Sequence, residues 1–464
     1  MPSVENRAAV NSSKQATFLS RYRRWVLATL ALAFLAALLC YSEGIPAWEA
    51  NDELDHVANI EYALVCPFSF MPIAWERWHE THQPPLYYWL MAGWQRLLGI
   101  ESFTVSRPPN RAKRAVIGKL VLAHDKFDNV QREQARALHK LRLVSPFVGL
   151  ITLVFTYCCA RYFNQSEAFR LSATAIVALH PKFMIVSAVI TNDSLAILLG
   201  SALLLLATSY VSAARSARAR LLLATAFGLT AGVSVLTKLN LLPLVVLLGV
   251  AALLLAPYDW RTRLLDLAII VVITLRVSGG WLLHNKRIYG EWFAEQATQA
   301  WLDPRLPRTI RPVSYFDAER FLDFVPKTLF RTFWYNGGWN QQIAPFGFYF
   351  VLWCLAAVCG FASVRSTLLL AQKERVAPKA TYLLWTSLLG AAAAIYLIAR
   401  QTTQAEGRIV FIAISAVAII LTHGSLAFFR DTLAERGALL LWPVVLGLLN
   451  LYVVIRFVVP FWGV

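Results

Sequence analysis

The sequence predicts an all-α polytopic membrane protein, and three observations carry that prediction. The chain has 464 residues of which 58% are hydrophobic and only 15% charged, a balance that soluble proteins of this length rarely reach. Apolar runs of bilayer-crossing length recur from one end to the other, which selects spanning helices over a barrel. The formal net charge of +17 fits basic cytoplasmic loops facing anionic headgroups. Nucleic acid is not an expected partner, because no basic run is interleaved with exposed aromatics in a soluble module.

Eleven segments have the length and composition of a span: 25–42, 142–163, 168–190, 193–213, 220–237, 240–256, 264–285, 345–364, 380–399, 408–428 and 437–459. The first follows Arg21, Arg23 and Arg24 and ends at Tyr41-Ser42-Glu43 without a small-residue cleavage site. It is therefore expected to remain as a span rather than leave as a signal peptide. Residues 1–24 then form a cytoplasmic tail, disordered over roughly its first 18 residues. Cys40, Cys158, Cys159, Cys354 and Cys359 lie in apolar runs, where cysteine acts as a small hydrophobe. Cys66 sits in a loop without an obvious partner, so neither a disulfide framework nor a cysteine metal knuckle is expected.

One segment, 85–100, could cross or lie at the interface. It is short for a span, carries Tyr87, Tyr88, Trp89 and Trp94, and is interrupted by Gln95 and Arg96. These features favour an interfacial helix. Loop charge agrees. If 85–100 does not cross, the basic clusters around Arg23, Arg218 and Arg375 fall on the cytoplasmic side. The opposite short loops then keep only Lys238, Arg400 and Arg408, as the positive-inside rule requires. The result is a single transmembrane domain, 25–464, with two long external segments at about 43–141 and 286–344. The external turns at 192–193, 238–240 and 406–408 share that face.

The unusual polar residues thereby converge. NDELDH (51–56) places Asp52, Glu53, Asp55 and His56 beside the bilayer; as a helix start it would put Asp52 and His56 on one face. Acids at a helix start are favoured by the macrodipole, but that does not account for the added histidine. Asp52, with Glu53 as the alternative, is the expected carboxylate base toward an acceptor hydroxyl. His79, Glu80, His82 and Gln83 precede Pro84-Pro85, which end any preceding helix and start the next. They read either as a solvated loop or as substrate contacts. Asp193 is both a natural helix cap and a candidate to orient substrate.

Lys238 near hydrocarbon must snorkel or meet an anion. Lys286, Arg287 and Arg408 offer similar cationic heads for a phosphate, with Glu406 beside the last of them. The stretch 331–348 reads as an interfacial belt or as a sugar platform. In the second case Trp334, Tyr335 and Trp339 would stack on the ring, with Asn336, Asn340, Gln341 and Gln342 as hydrogen-bonding partners. A divalent metal stays possible, since His56, His79, His82 and nearby acids are suitable ligands, but no strict ligand spacing is present. P-loop, GxGxxG and GxSxG motifs are absent, which removes support for nucleotide-binding and serine-hydrolase readings.

Taken in order, NDELDH, HQPPLYYWL, HPKFMIVSAVITNDSLA, LTKLN, NKRIYGEW, FWYNGGWN and QAEGRIVFIAI resemble the GT-C superfamily of membrane glycosyltransferases that use polyprenyl-phosphate sugars. That superfamily includes protein O-mannosyltransferases and the aminoarabinose transferase of lipid A. The resemblance spans about residues 25–430. It implies a GT-C-like fold, a first-loop acid (here Asp52) as catalytic base, support from Asp193, and basic residues holding a lipid phosphate. Relatives often carry lysine or histidine immediately before the Pro-Pro-Leu motif, where this chain has Gln83.

The expected reaction is inverting transfer of a sugar from a polyprenyl-phosphate donor to a hydroxyl on a glycan, lipid or protein acceptor. It would take place at the external face of a bacterial inner membrane, with membrane lipids as surroundings. A transporter or flippase of lipid-linked sugars is the rival of another class. It would place polar groups near the bilayer midplane and show internal repeats, neither of which is evident. An O-antigen-type polymerase or ligase is the second rival, differing by a diphosphate-linked donor.

Overall fold

In hydrocarbon a backbone must satisfy its own hydrogen bonds, so the apolar runs become helices and their ends fall where glycine, proline or polar residues interrupt. The computed structural model describes residues 4–73, 80–103, 122, 124, 127–212, 214–302, 318–337, 342–374, 379–401, 406–429 and 435–461. Helix α1 (Val4–Gly44) takes in the stretch expected to be disordered. Alanine, arginine, lysine and glutamine there are good helix formers, so propensity overrides polarity. Three shorter helices lie in the segment that follows the first span: α2 (Glu53–Val65), α3 (Leu86–Leu97) and α4 (Asn129–Arg142). Helix α4 opens with a capping box between Asp128 and Gln131.

Helix α3, at 12 residues, is about 18 Å long and cannot cross a core of about 30 Å. It packs on α2 with Tyr87, Tyr88, Met91 and Ala92 buried. Its expected interruption, Gln95, is fully buried and donates to Glu61 of α2 at 2.8 Å.

Next in order come α5 (Val144–Ala160), α6 (Glu167–Ala178), α7 (Pro181–Val186), α8 (Asn192–Val211), α9 (Ala217–Thr237), α10 (Leu242–Leu255) and α11 (Trp260–Tyr289). Helices α12 (Glu295–Leu302) and α13 (Ala318–Thr332) lie in the segment after α11, before α14 (Phe346–Glu374), α15 (Lys379–Gln401), α16 (Ile414–Phe429) and α17 (Glu435–Val453). Among the described residues nine helices are long and apolar enough to cross a membrane. The segment expected at 240–256 forms a shorter apolar helix, Leu239–Leu255. The segment at 168–190 breaks into α6 and α7, because Pro181 cannot continue a helix and holds His180 extended.

Helix α8 and the Gly407–Phe429 helix form the centre, each 78% buried over its apolar window, whereas α11 is 11% buried and faces outward. One apolar core gathers around α8, α10 and α15, and a second around α1, α6, α16 and α17. Gly200 makes the centre possible, since a side chain there would collide with the Ile412 backbone. The central helices therefore pack with their site-facing ends, Asn192 and Arg408, side by side.

Candidate active site

The chain turns sharply after α1, and Asp52 ends that turn in the left-handed region at φ 62°. Aspartate tolerates this conformation better than most residues, and a non-glycine residue held there is a reason to look for function. The consequence is local and large. Asp52 precedes α2 but makes no side-chain cap; its carboxylate turns outward to Arg408, with Oδ2 2.6 Å from Nη2. Glu53, one residue on, turns inward. Its fully buried carboxylate accepts from Arg142 Nε at 2.8 Å and Nη2 at 2.7 Å, and from the Ile190 and Trp48 amides. Arg142 also donates to the carbonyls of Ser42 and Ile45 at 2.7 and 2.6 Å. Glu53 is thus the anchor of the turn after α1 and has no oxygen open to substrate. This corrects the expectation that it could stand in as the base.

Arg408 is the hub. It lies in the first turn of a 3₁₀ segment, Gly407–Ala413, that leads into α16. Gly407 lies against the Phe333 backbone too closely for any side chain, and its amide donates to Thr332 Oγ1 at 2.6 Å. Held there, the Arg408 guanidinium meets three carboxylates: Asp52, Asp193 at 3.3 Å and Glu406 at 2.9 Å. Thr191, not Asn192 or Asp193, caps α8, which leaves both of those side chains for the site. Lys238 ends α9 and donates to Asp193 Oδ1 at 2.6 Å and Asn192 Oδ1 at 2.9 Å. Asn192 donates to Gln83 at 3.1 Å, and Gln83 donates to Glu80 at 2.7 Å and approaches His82 Nε2 at 3.2 Å. Asn51 closes the other end by donating to Glu406 at 3.1 Å. Five segments of the chain are joined in one network.

Its electrostatics are set by competition. Burial alone would raise the Asp52 pKa, but Arg408, with smaller help from His56 and Lys238, carries it below the ordinary carboxylate value. Burial pushes His56 the other way from its charged form, against the pull of Glu80 and Asp52, so its pKa lies below the usual histidine value. The neutral ring shares a hydrogen bond with Tyr88 Oη at 3.0 Å.

Two clefts flank the network. The larger has an empty volume of about 660 Å³ and is walled by Asn51, Arg408, Lys182 and Tyr335 together with apolar residues of α7 and the end of α17. The second, of about 440 Å³, is lined by His82, Gln83, Tyr88 and Trp281.

The structure thus brings together Asp52, Asp193, Lys238, Glu406, Arg408 and Gln83, with His56 and His82 at the margin. It does not bring in Lys286 or Arg287. Both are exposed at the end of α11, where Lys286 donates to the Gly290 carbonyl at 2.6 Å. Trp339, His79, Asn340 and Gln341 lie outside the described residues. Trp334 is no sugar platform: it is 1% exposed and stacks between His180 and Trp442 in the core. Tyr335 and Gln342 do line the larger cleft. Sequence reasoning passed over Arg142, at the edge of an apolar run, and Lys182, inside one. The signal for Lys182 was the His-Pro-Lys interruption of that run. Among the described residues no group of three or more His, Cys, Asp or Glu side chains is arranged to hold a metal ion.

A family model described as dolichyl-phosphate-mannose-protein mannosyltransferase matches residues 126–286, which include Asp193 and Lys238 but neither Asp52 nor Arg408. The crystal structure of ArnT from Cupriavidus metallidurans bound to undecaprenyl phosphate is similar, with a TM-score of 0.54 at 16% identity, covering 92% of this chain and 64% of that one. The apo form of the same protein gives a TM-score of 0.53 at 16% identity, covering 91% and 62%. This chain therefore spans less than two thirds of the length of those structures. No curated protein sequence matches it significantly. The likeness to the ArnT structures shows that the chain has their fold, that of the GT-C membrane glycosyltransferases.

Proposed function

We propose that the chain is an inverting glycosyltransferase that moves a hexose or pentose from a polyprenyl-phosphate donor to a hydroxyl of a glycan, lipid or protein acceptor. The transfer takes place at the external face of the membrane. The observation that carries this reading is Asp52: a carboxylate in a left-handed turn, 28% exposed, held against a guanidinium at the mouth of a cleft. In the reaction the acceptor O–H gives its proton to Asp52, and the acceptor oxygen bonds to the anomeric carbon. The bond from that carbon to the phosphate oxygen breaks, and its electron pair leaves on the lipid phosphate. A single displacement inverts the anomeric centre.

The ion pair has a mechanistic use. While Arg408 holds Asp52, the carboxylate is a weak base. A donor phosphate competes for the same guanidinium, and loosening that pair lets burial raise the basicity of Asp52 at the moment it is needed. Lys238 holds Asp193 in place beneath Arg408. The external location is supported by loop charge, which puts the network opposite the basic loops.

The test is transfer by purified protein in nanodiscs with Asp52→Asn, which keeps the side chain's shape and its tolerance for the turn. Turnover should fall by about 10²–10⁴-fold with expression and folding intact. Full turnover would remove Asp52 from the role. Offering monophosphate- and diphosphate-linked donors in parallel separates the reading from a polymerase or ligase. Product without net lipid translocation separates it from a flippase.

A further inference from the structure

The larger cleft holds a cation that the mechanism so far leaves unused. Lys182 is 4% exposed on α7 and lines the same wall as Arg408. Its ammonium donates to one group, the Asn336 carbonyl, at 3.0 Å, and forms no ion pair with a described carboxylate. Arg408 and Lys238, in contrast, are both already in contact with carboxylates. A buried ammonium with donors to spare is costly unless an anion completes it. The lining of the cleft also includes two groups of apolar residues, Ile185, Val186 and Val189, and Val453, Phe457 and Val458. The second group comes from the end of α17, where the helix loosens into a π segment, Val454–Val458.

We infer that Lys182 is the primary seat of the donor's phosphate, with the first isoprene units lying along the apolar wall formed by α7 and the end of α17. The inference rests on the reading of the chain as a polyprenyl-phosphate enzyme and assigns that donor to one of its two clefts. Lys182 binds the phosphate first. Arg408 then exchanges part of its hold on Asp52 for the same phosphate, so Lys182 determines donor affinity and Arg408 the step that follows.

The experiment measures binding of undecaprenyl phosphate, undecaprenol and phosphatidylglycerol to the full chain in detergent, for wild type, Lys182→Met and Lys182→Arg. Apo thermal midpoints are recorded alongside. Wild type should prefer undecaprenyl phosphate to both other lipids. Lys182→Met should lose at least tenfold in affinity for undecaprenyl phosphate with undecaprenol binding unchanged, and Lys182→Arg should regain most of it. The apo midpoint of Lys182→Met should not fall, since methionine removes a buried charge that makes no direct ion pair with a described carboxylate. Wild-type affinity for undecaprenyl phosphate in Lys182→Met would overturn the inference and leave the proposed function standing. So would a lowered midpoint with unchanged binding, which would make Lys182 a tie to the Asn336 loop. If wild type does not distinguish undecaprenyl phosphate from undecaprenol, the proposed function falls and the inference with it. Preference for phosphatidylglycerol would make the cleft a headgroup site and overturn the donor assignment.

Discussion

Asp52 and Glu53 are neighbours, both acidic, and each is paired with an arginine distant in sequence, yet they belong to different parts of the molecule. Glu53 and Arg142 are fully buried, with two hydrogen bonds between them and backbone groups on every side. Asp52 and Arg408 are 28% and 18% exposed, and Arg408 is shared among three carboxylates. The first pair is matched and closed, which suits a structural latch. The second is over-supplied with acid and open to a cleft, so a new anion can rearrange it without leaving a bare buried charge. A buried ion pair therefore says little about function until its partners are counted and its access is known.

The largest effect that sharpens this contrast is on the closed pair. Glu53→Gln leaves Arg142 buried without its counter-charge and should cost about 3–5 kcal/mol of stability. It would be read as a lowered thermal midpoint and poor yield; a midpoint equal to wild type would break the comparison. Next comes Arg408→Gln, which removes a fixed cation from the reacting phosphate and should lower turnover by about 10²–10³-fold. Its pH profile carries more information than its rate. Arg408 holds the Asp52 pKa down against burial, so without it burial prevails and Asp52 keeps its proton to higher pH. The acid limb of activity should move up in the variant, and an unmoved limb would uncouple the two residues.

By linkage, Asp52 in wild type adds stability above its unfolded-state value, and that contribution is lost as pH falls through its lower folded-state value. The smallest effect concerns the turn. Asp52→Ala should cost about 1 kcal/mol more than Asp52→Asn, because alanine resists the left-handed conformation. Equal thermal midpoints for the two would show that the turn does not depend on that residue.

How much of this was legible in the sequence follows from where each residue sits. Asp193, Lys238, Glu406 and Arg408 stand at the ends of apolar runs, so helix parity alone placed them on one face. Which of two adjacent acids faces the cleft depends on a single backbone angle at Asp52, and no periodicity encodes that. Arg142 finds its partner 89 positions away, beyond the reach of local pattern. Lys182 was hidden because its segment reads as one span until Pro181 is weighed as a break. Lys286 and Arg287 failed for the opposite reason. Their level in the membrane was plain, but the outward orientation of α11 depends on packing that the sequence does not state.

The most direct test puts the two neighbours side by side: turnover per folded molecule for Asp52→Asn and Glu53→Gln, each normalised to the monodisperse fraction after purification. Asp52→Asn should be abundant and inactive, and the small folded fraction of Glu53→Gln should still transfer sugar at a rate near wild type. Abundant, inactive Glu53→Gln beside active Asp52→Asn would contradict the account at its centre.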